Sequence, residues 1–449
     1  MSLDKLTTLF DDGEFTELSS GTAKEVFTGF GRVNGLPVYV FAQDAGENGG
    51  AFGEKQAGKI EKIYELALKT GAPVVGVFSS NGAYVAEGAA LLGNLGGLVA
   101  QSAQLSGVVP QIAVVTGVCA GTMAVLAAGF DVVIAGENAR LFVNPPFVLG
   151  DETIGGADSL LQSGVAQLKA GGDWTDAVKA VLAYLPQNNL SPALPRLATQ
   201  AIADVSSEHI EWLADDGSVL ELGSDYGAGA VVTEFARQSG LWDGKTAGAG
   251  CLAKTYFARV NGTAVGIVHT LGGRIGGSAC RKLARFVRLC DAFSVPVISV
   301  VDAQGFVLAA EFEQSGDVRQ ASLLAAAYAE ATTVKITLIT GSAYGAAFAA
   351  FASCSADAVF AWENAVIAPL PAAAAVTVLW ADRLNAGESL EALTAEYSVT
   401  NGANAALDAG LLDGVISLPE SRNIISAALE RLAGKRVATL PKKHSNLPI

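Results

Sequence analysis

Short β-branched apolar runs alternate along this chain with stretches whose apolar residues recur at helical spacing. Pro73-Val74-Val75-Gly76-Val77-Phe78 reads as a buried strand. Before it, Ile60, Ile63 and Leu66 give one apolar face to a helix from Lys59 to Leu68 that ends at Thr70-Gly71. Gly31 to Val40 reads as two strands around an Asn34-Gly35 hairpin turn. Upstream of that, Leu9 to Leu18 joins an Asp-Asp-Gly turn signal to an alternating strand pattern. Downstream, Val114-Val115-Thr116-Gly117-Val118-Cys119-Ala120-Gly121-Thr122-Met123 passes from a strand through a small-residue turn into an Ala-rich helical pattern, and Val132 to Ala135 is a further strand.

The same series is then written again. Leu213 to Leu222 repeats the first element, Ala258 to Ile267 the hairpin around Asn261-Gly262, and Lys282 to Phe293 the helix. Pro296 to Val301 repeats the strand, and Ile336 to Ala347 repeats the strand-turn-helix stretch as Thr340-Gly341-Ser342-Ala343-Tyr344-Gly345-Ala346. Arg32 and Arg259, Pro73 and Pro296, Gly117 and Gly341, and Glu137 and Glu363 stand 227, 223, 224 and 226 residues apart. A register held across four anchors is a duplicated domain. Strands alternating with helices make the unit α/β, with layered β-sheets and flanking helices.

The two copies divide the chain into domains of residues 1–212 and 213–449. The first carries a connector from residue 151, helical in pattern at Ala166 and Leu168 and again at Val178, Val181 and Leu182, then broken by Pro186, Pro192 and Pro195. The tail from Arg431 turns basic and reads as a solvated end.

Length supports the same division, since 449 residues exceed one ordinary core. Hydrophobic residues make up 51% and charged residues 16%, a balance suited to large buried surfaces and an oligomer. The net charge of −15 argues against nucleic acid as a partner. Cys119, Cys251, Cys280, Cys290 and Cys354 contain no C-x-x-C pair and read as reduced, mostly buried thiols of a cytoplasmic protein. The start of the chain has no signal-peptide pattern, and no apolar run reaches the ~18 residues of a membrane span.

Chemistry is constrained by what is scarce. His209, His269 and His444 are the only histidines, so no Ser-His-Asp set and no metal site can be assembled. Gly272-Gly273-Arg274-Ile275-Gly276-Gly277 lacks the Gly-Lys-Ser/Thr ending of a phosphate loop. What remains is the repeated turn. A buried strand feeding a glycine turn and a helix start aims backbone N–H groups at one point, which holds either a bound phosphate or an oxyanion that develops during reaction. The other role for Gly121 and Gly345 is to permit tight strand–helix packing.

From about Leu9 to about Glu430 the chain resembles the carboxyltransferase subunits of biotin-dependent acyl-CoA carboxylases and decarboxylases. The most specific stretches are Ala67 to Val74, Ser106 to Ile112, Ala284 to Phe293, Tyr328 to Thr332 and Phe360-Ala361-Trp362. The resemblance implies tandem crotonase-like domains, the acyl-CoA on the N-terminal one and biotin on the C-terminal one. It implies that N–H groups of Gly121 and Thr122 meet the thioester enolate oxygen, and those of Gly345 and Ala346 the ureido oxygen of biotin. Ser80, Asn81, Gly82, Ala83, Ala120, Gly305, Phe306, Tyr344 and Ala349 would bind substrate, Ala349 standing at the position that helps shape the acyl pocket. It further implies biotin on a separate carboxyl carrier protein, with a biotin carboxylase or a membrane decarboxylase subunit as further partner, and a homohexamer built as a trimer of dimers.

Several positions depart from the family's pattern. Ser79-Ser80-Asn81-Gly82-Ala83-Tyr84 stands for Asp-Ser-Gly-Gly-Ala-Arg, Gln304-Gly305-Phe306 for Pro-Gly-Phe, and Gln320 for the His after Arg319. Thr122 and Ala346 replace the second glycine of each turn, and Ala349 replaces a polar or acidic residue. Thr122 poses the local test, because a β-branched residue fits poorly wherever φ must be positive. Two other functions follow from this drift: a non-catalytic CoA-binding scaffold or regulator, and a crotonase-type hydratase or isomerase using Glu87. Glu87 reads more readily as a capping or surface-loop carboxylate near Gly88.

Overall fold

A computed structural model describes residues 3–19, 23–197, 210–223, 253–352, 355–439, 441–442 and 444. Cys251, Cys354, His209 and the latter part of the expected connector lie outside these residues. The chain forms two compact units, residues 1–194 with 222–224, and residues 195–221 with 225–449.

The first unit is built on an eight-stranded sheet. Its strands are β1 (Phe15–Glu17), β2 (Val26–Val33), β3 (Leu36–Gln43), β4 (Val74–Ser80), β5 (Gln111–Ala120), β6 (Val132–Ala135), β7 (Arg140–Phe142) and β8 (Leu168–Lys169). They lie in the order β1-β2-β3-β4-β5-β6-β8, with β7 added to the end of β5. β1, β2 and β3 pair antiparallel through the Asn34-Gly35 hairpin, and the rest pair parallel. Parallel neighbours need crossovers, and the helices Glu54–Thr70 and Ala90–Leu105 supply them. The first of these ends at Gly71, whose φ of 63° lets the chain turn out of the helix. It buries Ile60, Ile63, Tyr64 and Ala67 against Phe41, Val74, Phe78 and Val115 of the sheet.

The second unit repeats this strand for strand: β9 (Leu220–Leu222), β10 (Ala253–Val260), β11 (Thr263–Thr270), β12 (Val297–Ala303), β13 (Lys335–Tyr344), β14 (Ala358–Trp362), β15 (Val366–Ala368) and β16 (Gly414–Ile416). Its order is β9-β10-β11-β12-β13-β14-β16, with β15 added to the end of β13. The helix Gly277–Ala292 packs on β10 and β11, burying Leu283, Phe286, Val287 and Cys290. On the other face, Ile425, Ala428 and Leu429 of the helix Leu418–Leu432 join Ile267, Ile298, Ile336 and Phe360. The duplication and the α/β layering read from the sequence are therefore what the chain folds into.

One repeated element turns out to be a clamp. The carboxylate of Asp11 accepts the N–H groups of Asn34 and Gly35 at 3.1 and 2.7 Å, and Asp215 accepts those of Asn261 and Gly262 at 3.0 and 2.7 Å. Each Asp-Asp-Gly turn thus holds the tip of the next hairpin, where Asn34 and Asn261 have φ of 51° and 49°.

The connector differs from expectation at Ala166, which lies in no helix, and at Leu168. Val178, Val181 and Leu182 lie on the helix Trp174–Leu182, but Leu168 belongs to β8 and pairs with Ile134. Gly164, at φ 76°, ends the preceding helix and frees the chain to extend along β6. In the tail, Lys435 pairs with Asp357 at 2.7 Å and Lys442 with Glu330 at 2.5 Å.

Candidate functional site

The two turns sit at the carboxyl ends of adjacent parallel strands, β4 and β5 in the first unit and β12 and β13 in the second. Ligands bind at such strand ends because loops and helix starts converge there. In both units the ladder slips just before the turn. Phe78 pairs with Val115, yet Ser80 pairs with Cys119, and likewise Val301 pairs with Ile339 while Ala303 pairs with Ala343. Thr116-Gly117-Val118 and Thr340-Gly341-Ser342 are the stretches that bulge.

Beyond the bulge the chain reverses at a glycine. Gly121 has φ 62° and Gly345 has φ 50°, a region open to glycine at little cost. Thr122 and Ala346 have no positive φ. Thr122 is the first residue of the helix Thr122–Ala128, and Gly345 opens the helix Gly345–Ala352. The replacement of the second glycine is therefore conformationally permitted, since only the first position needs positive φ. The Gly121 N–H donates to the Phe142 carbonyl at 3.0 Å, so what Gly121 contributes here is its bend. As first residue of its helix, Thr122 has an N–H with no acceptor inside that helix. Thr122 and Ala346 are exposed, and Ala349 is exposed one turn further on. Tyr344 is half-buried at the end of β13.

The loop after β4 lies beside this turn. Gly82, at φ 107°, is so close to Ala120 that an added Cβ would stand 3.7 Å from the Ala120 carbonyl oxygen. Phe52 clamps the loop: its N–H donates to the Gly82 carbonyl at 2.9 Å and its carbonyl accepts the Tyr84 N–H at 2.8 Å. That pairing turns the intervening Ala83 N–H away, and it has no partner among the described residues. The Ser80 hydroxyl accepts the Gly82 N–H at 3.2 Å, and Asn81 is exposed.

The second unit repeats the clamp. The Ile275 N–H donates to the Gly305 carbonyl at 2.9 Å, and the Ile275 carbonyl accepts the Val307 N–H at 3.1 Å. Gly305 has the same φ of 107°, and the Phe306 N–H is left without a partner among the described residues. The glycine-rich stretch from Gly272 thus pairs its backbone with the loop after β12. Each unit consequently brings together one exposed helix start and one unpartnered loop N–H. The donor character of Ala83 and Phe306 was missed in the sequence, where the eye goes to glycines; the alternation of a clamped loop is the signal that finds it.

Glu87 lies elsewhere in function. Its Oε2 accepts the Glu54 N–H at 2.7 Å at the start of the helix Glu54–Thr70, and a Cβ on Gly53 would fall 2.5 Å from its Oε1. It is a cap for that helix. Cys119, Cys280 and Cys290 are buried and form no disulfide among the described residues, and burial pushes the pKa of the Cys119 thiol up to about 12. Among the described residues no group of carboxylates, histidines and cysteines could hold a metal ion. Among them, too, no helix is long and apolar enough to cross a membrane.

His269, at the end of β11, is 4% exposed. Burial, with the positive charge of Lys254 adding to it, lowers its pKa from 6.5 to about 4. The unfolded chain therefore takes up this proton first, and stability present above 6.5 is lost as pH falls toward about 4. A His269→Phe variant is expected to melt with a shallower dependence on pH across that window than the parent. Equal slopes would remove His269 as a source of acid sensitivity.

Residues 9–447 match the carboxyl transferase domain family. The chain is 34% identical to the methylmalonyl-CoA decarboxylase subunit alpha of Veillonella parvula, across 99% of this chain and 92% of that protein. It is 34% identical to the propionyl-CoA carboxylase beta chain of Saccharopolyspora erythraea, across 99% and 90% respectively. Transcarboxylase 12S, solved as a hexamer assembly with methylmalonyl-coenzyme A and methylmalonic acid bound, superimposes with a TM-score of 0.88 at 30% identity, covering 99% of this chain and 92% of that one.

Proposed function

This chain belongs to the carboxyl transferase domain family, and on that premise we propose that it moves a carboxyl group between biotin and the α-carbon of an acyl-CoA thioester. The observation that carries the reading is the doubled pair of backbone donors, set on a duplicated fold whose relatives act on methylmalonyl- and propionyl-CoA.

In this reading the first unit takes the acyl-CoA. Gly121 bends the chain so that the Thr122 N–H meets the thioester oxygen, with the Ala83 N–H as second donor. Negative charge grows on that oxygen as the enolate forms, and each backbone donor aimed at it is worth about 3 kcal/mol. Ser80, Asn81, Gly82 and Ala120 shape the surrounding wall. The second unit takes biotin: Gly345 supplies the bend, and the Ala346 and Phe306 N–H groups face the ureido oxygen, with Gly305 and Tyr344 around it. The unpartnered Phe306 N–H and the exposed Ala346 fit such an oxygen. Biotin, presented by a separate carrier protein, supplies the nitrogen that gives or receives the carboxyl group. A biotin carboxyl carrier protein is accordingly the expected partner, with a biotin carboxylase or a membrane decarboxylase subunit beside it. A homohexamer, as a trimer of dimers, is the expected assembly, and the transcarboxylase 12S relative is itself a hexamer.

Incubation with free biotin and malonyl-, methylmalonyl- or glutaconyl-CoA tests the proposal. Biotin-dependent decarboxylation of at least one thioester is expected. Calorimetric binding of the thioesters without turnover would instead leave a CoA-binding scaffold. Glu87→Gln should leave that turnover unchanged and cost about 1 kcal/mol of stability through the weakened cap. Hydration of an enoyl-CoA that disappears in Glu87→Gln would overturn the assignment in favour of a hydratase.

A further inference from the structure

Beneath the two turns the duplicated halves differ. In the first unit Gln43, ending β3, and Ser79 in β4 lie under the bulge of β5. Both are buried, the Ser79 N–H donates to Gln43 Oε1 at 3.3 Å, and a Cβ on Gly117 would fall 2.8 Å from Ser79 Oγ. In the second unit the topological equivalents are Thr270, ending β11, and Asp302 in β12. Here the Asp302 N–H donates to Thr270 Oγ1 at 2.9 Å, and a Cβ on Gly341 would fall 2.6 Å from both Asp302 carboxylate oxygens. The longer side chain has moved from one strand to its neighbour, and a neutral amide has given way to a carboxylate.

That carboxylate has a backbone partner. Asp302 Oδ1 accepts the Ser342 N–H at 2.7 Å. Ser342 lies inside the stretch where β13 falls out of register with β12, between Ile339 and Ala343. A bulge leaves strand N–H groups that the ladder does not use, and a half-buried one needs another acceptor. A carboxylate is the stronger acceptor available, because its charge shortens and strengthens the bond. Gly341 keeps the approach open, since any side chain there would occupy the carboxylate's place. Two residues beyond Ser342 the chain reaches Tyr344, Gly345 and Ala346.

We infer that Asp302 is a positioning residue for the second site: by taking the Ser342 N–H it sets the path of β13 into Gly345 and Ala346. This rests on the reading of that turn as the biotin side. Asp302 acts through the backbone and does not touch the ligand. The first unit reaches the same bend with Gln43 and Ser79, so the two turns are held by different chemistry and respond to different substitutions.

The test compares Asp302→Ala and Asp302→Asn with the parent, all as full chains. Turnover is measured with free biotin and methylmalonyl-CoA, thioester affinity by calorimetry, and backbone protection by hydrogen exchange in peptides covering residues 340–347. Asp302→Ala is expected to lower kcat/KM for biotin by about tenfold to a hundredfold, the range a misplaced site residue produces. Its thioester Kd stays within about twofold, and exchange near Ser342 accelerates. Asp302→Asn keeps an acceptor oxygen and should recover most of the biotin kinetics. Should Asp302→Ala fail to fold, Asp302→Ser with Thr270 left in place removes the carboxylate that takes the Ser342 N–H and should show the same selective loss. Unchanged exchange near Ser342, equal losses in the Asn and Ala variants, or a loss confined to thioester binding would each overturn the role. A parent without turnover counts against the proposed function alone, because the exchange measurement still decides the positioning role.

Discussion

A Thr122→Pro variant is expected to lose about a hundredfold to a thousandfold in kcat for carboxyl transfer, the effect of deleting one oxyanion donor. The substitution is unusually clean. Thr122 is the first residue of its helix, the position where proline's fixed φ is pre-organised and its missing N–H breaks no helical hydrogen bond. Thermal melting should therefore stay close to that of the parent while the donor disappears. The companion Thr122→Gly restores the residue usual in the family and keeps the N–H. Its turnover should remain close to the parent's, because Thr122 has no positive φ for a glycine to relieve. The comparison is made from single-turnover or steady-state decarboxylation with free biotin, alongside melting curves. Full activity in Thr122→Pro would show that this N–H meets no developing charge.

The second large effect concerns stability and contrasts two copies of one element. Asp215→Ala is expected to cost about 3–5 kcal/mol, the range for removing one partner of a buried ion pair. Asp215 is fully buried, holds the Asn261-Gly262 hairpin and pairs with Arg422, whose side chain is 18% exposed. Removing the carboxylate leaves two hairpin N–H groups and a guanidinium without it. Asp11→Ala removes the same clamp from the Asn34-Gly35 hairpin, but in hydrogen bonds that water reaches, and should cost about 1 kcal/mol. Urea unfolding reads the difference. Trp212 and Trp362 lie 5.8 Å apart in the second unit and Trp174 is buried in the first, so intrinsic fluorescence reports on both units. Equal losses in the two variants would mean that burial and Arg422 add nothing to the clamp.

The duplication was legible because its signals are local and periodic. Asn-Gly hairpins, Pro-initiated apolar strands and the Thr-Gly stretches keep their offsets, and each dictates an element without help from the rest of the chain. The clamp of Asp11 and Asp215 was visible only as a repeated Asp-Asp-Gly, since what the carboxylate grips lies at a distance in sequence. Leu168 misled for a related reason. Two apolar residues at short spacing fit a helix or a strand edge equally, and the open side of β6 decided between them.

At the site itself, residue types pointed to the two turns and tertiary structure decided what each residue does there. Sequence by itself determined that there are two turns, that each begins with a glycine after a buried strand, and that side-chain catalysts are scarce. These follow from composition and order. It could not say which residue of Gly121-Thr122 carries the positive φ, because that depends on where β5 leaves the sheet and where Phe142 takes the Gly121 N–H. Nor could it show that Ala83 and Phe306, expected only as substrate-binding residues, have N–H groups turned outward by strand pairing with Phe52 and Ile275. Nor could it place Asp302 beneath a bulge made by another strand. Backbone donors carry no residue signature, so their direction is settled only when neighbouring strands have paired.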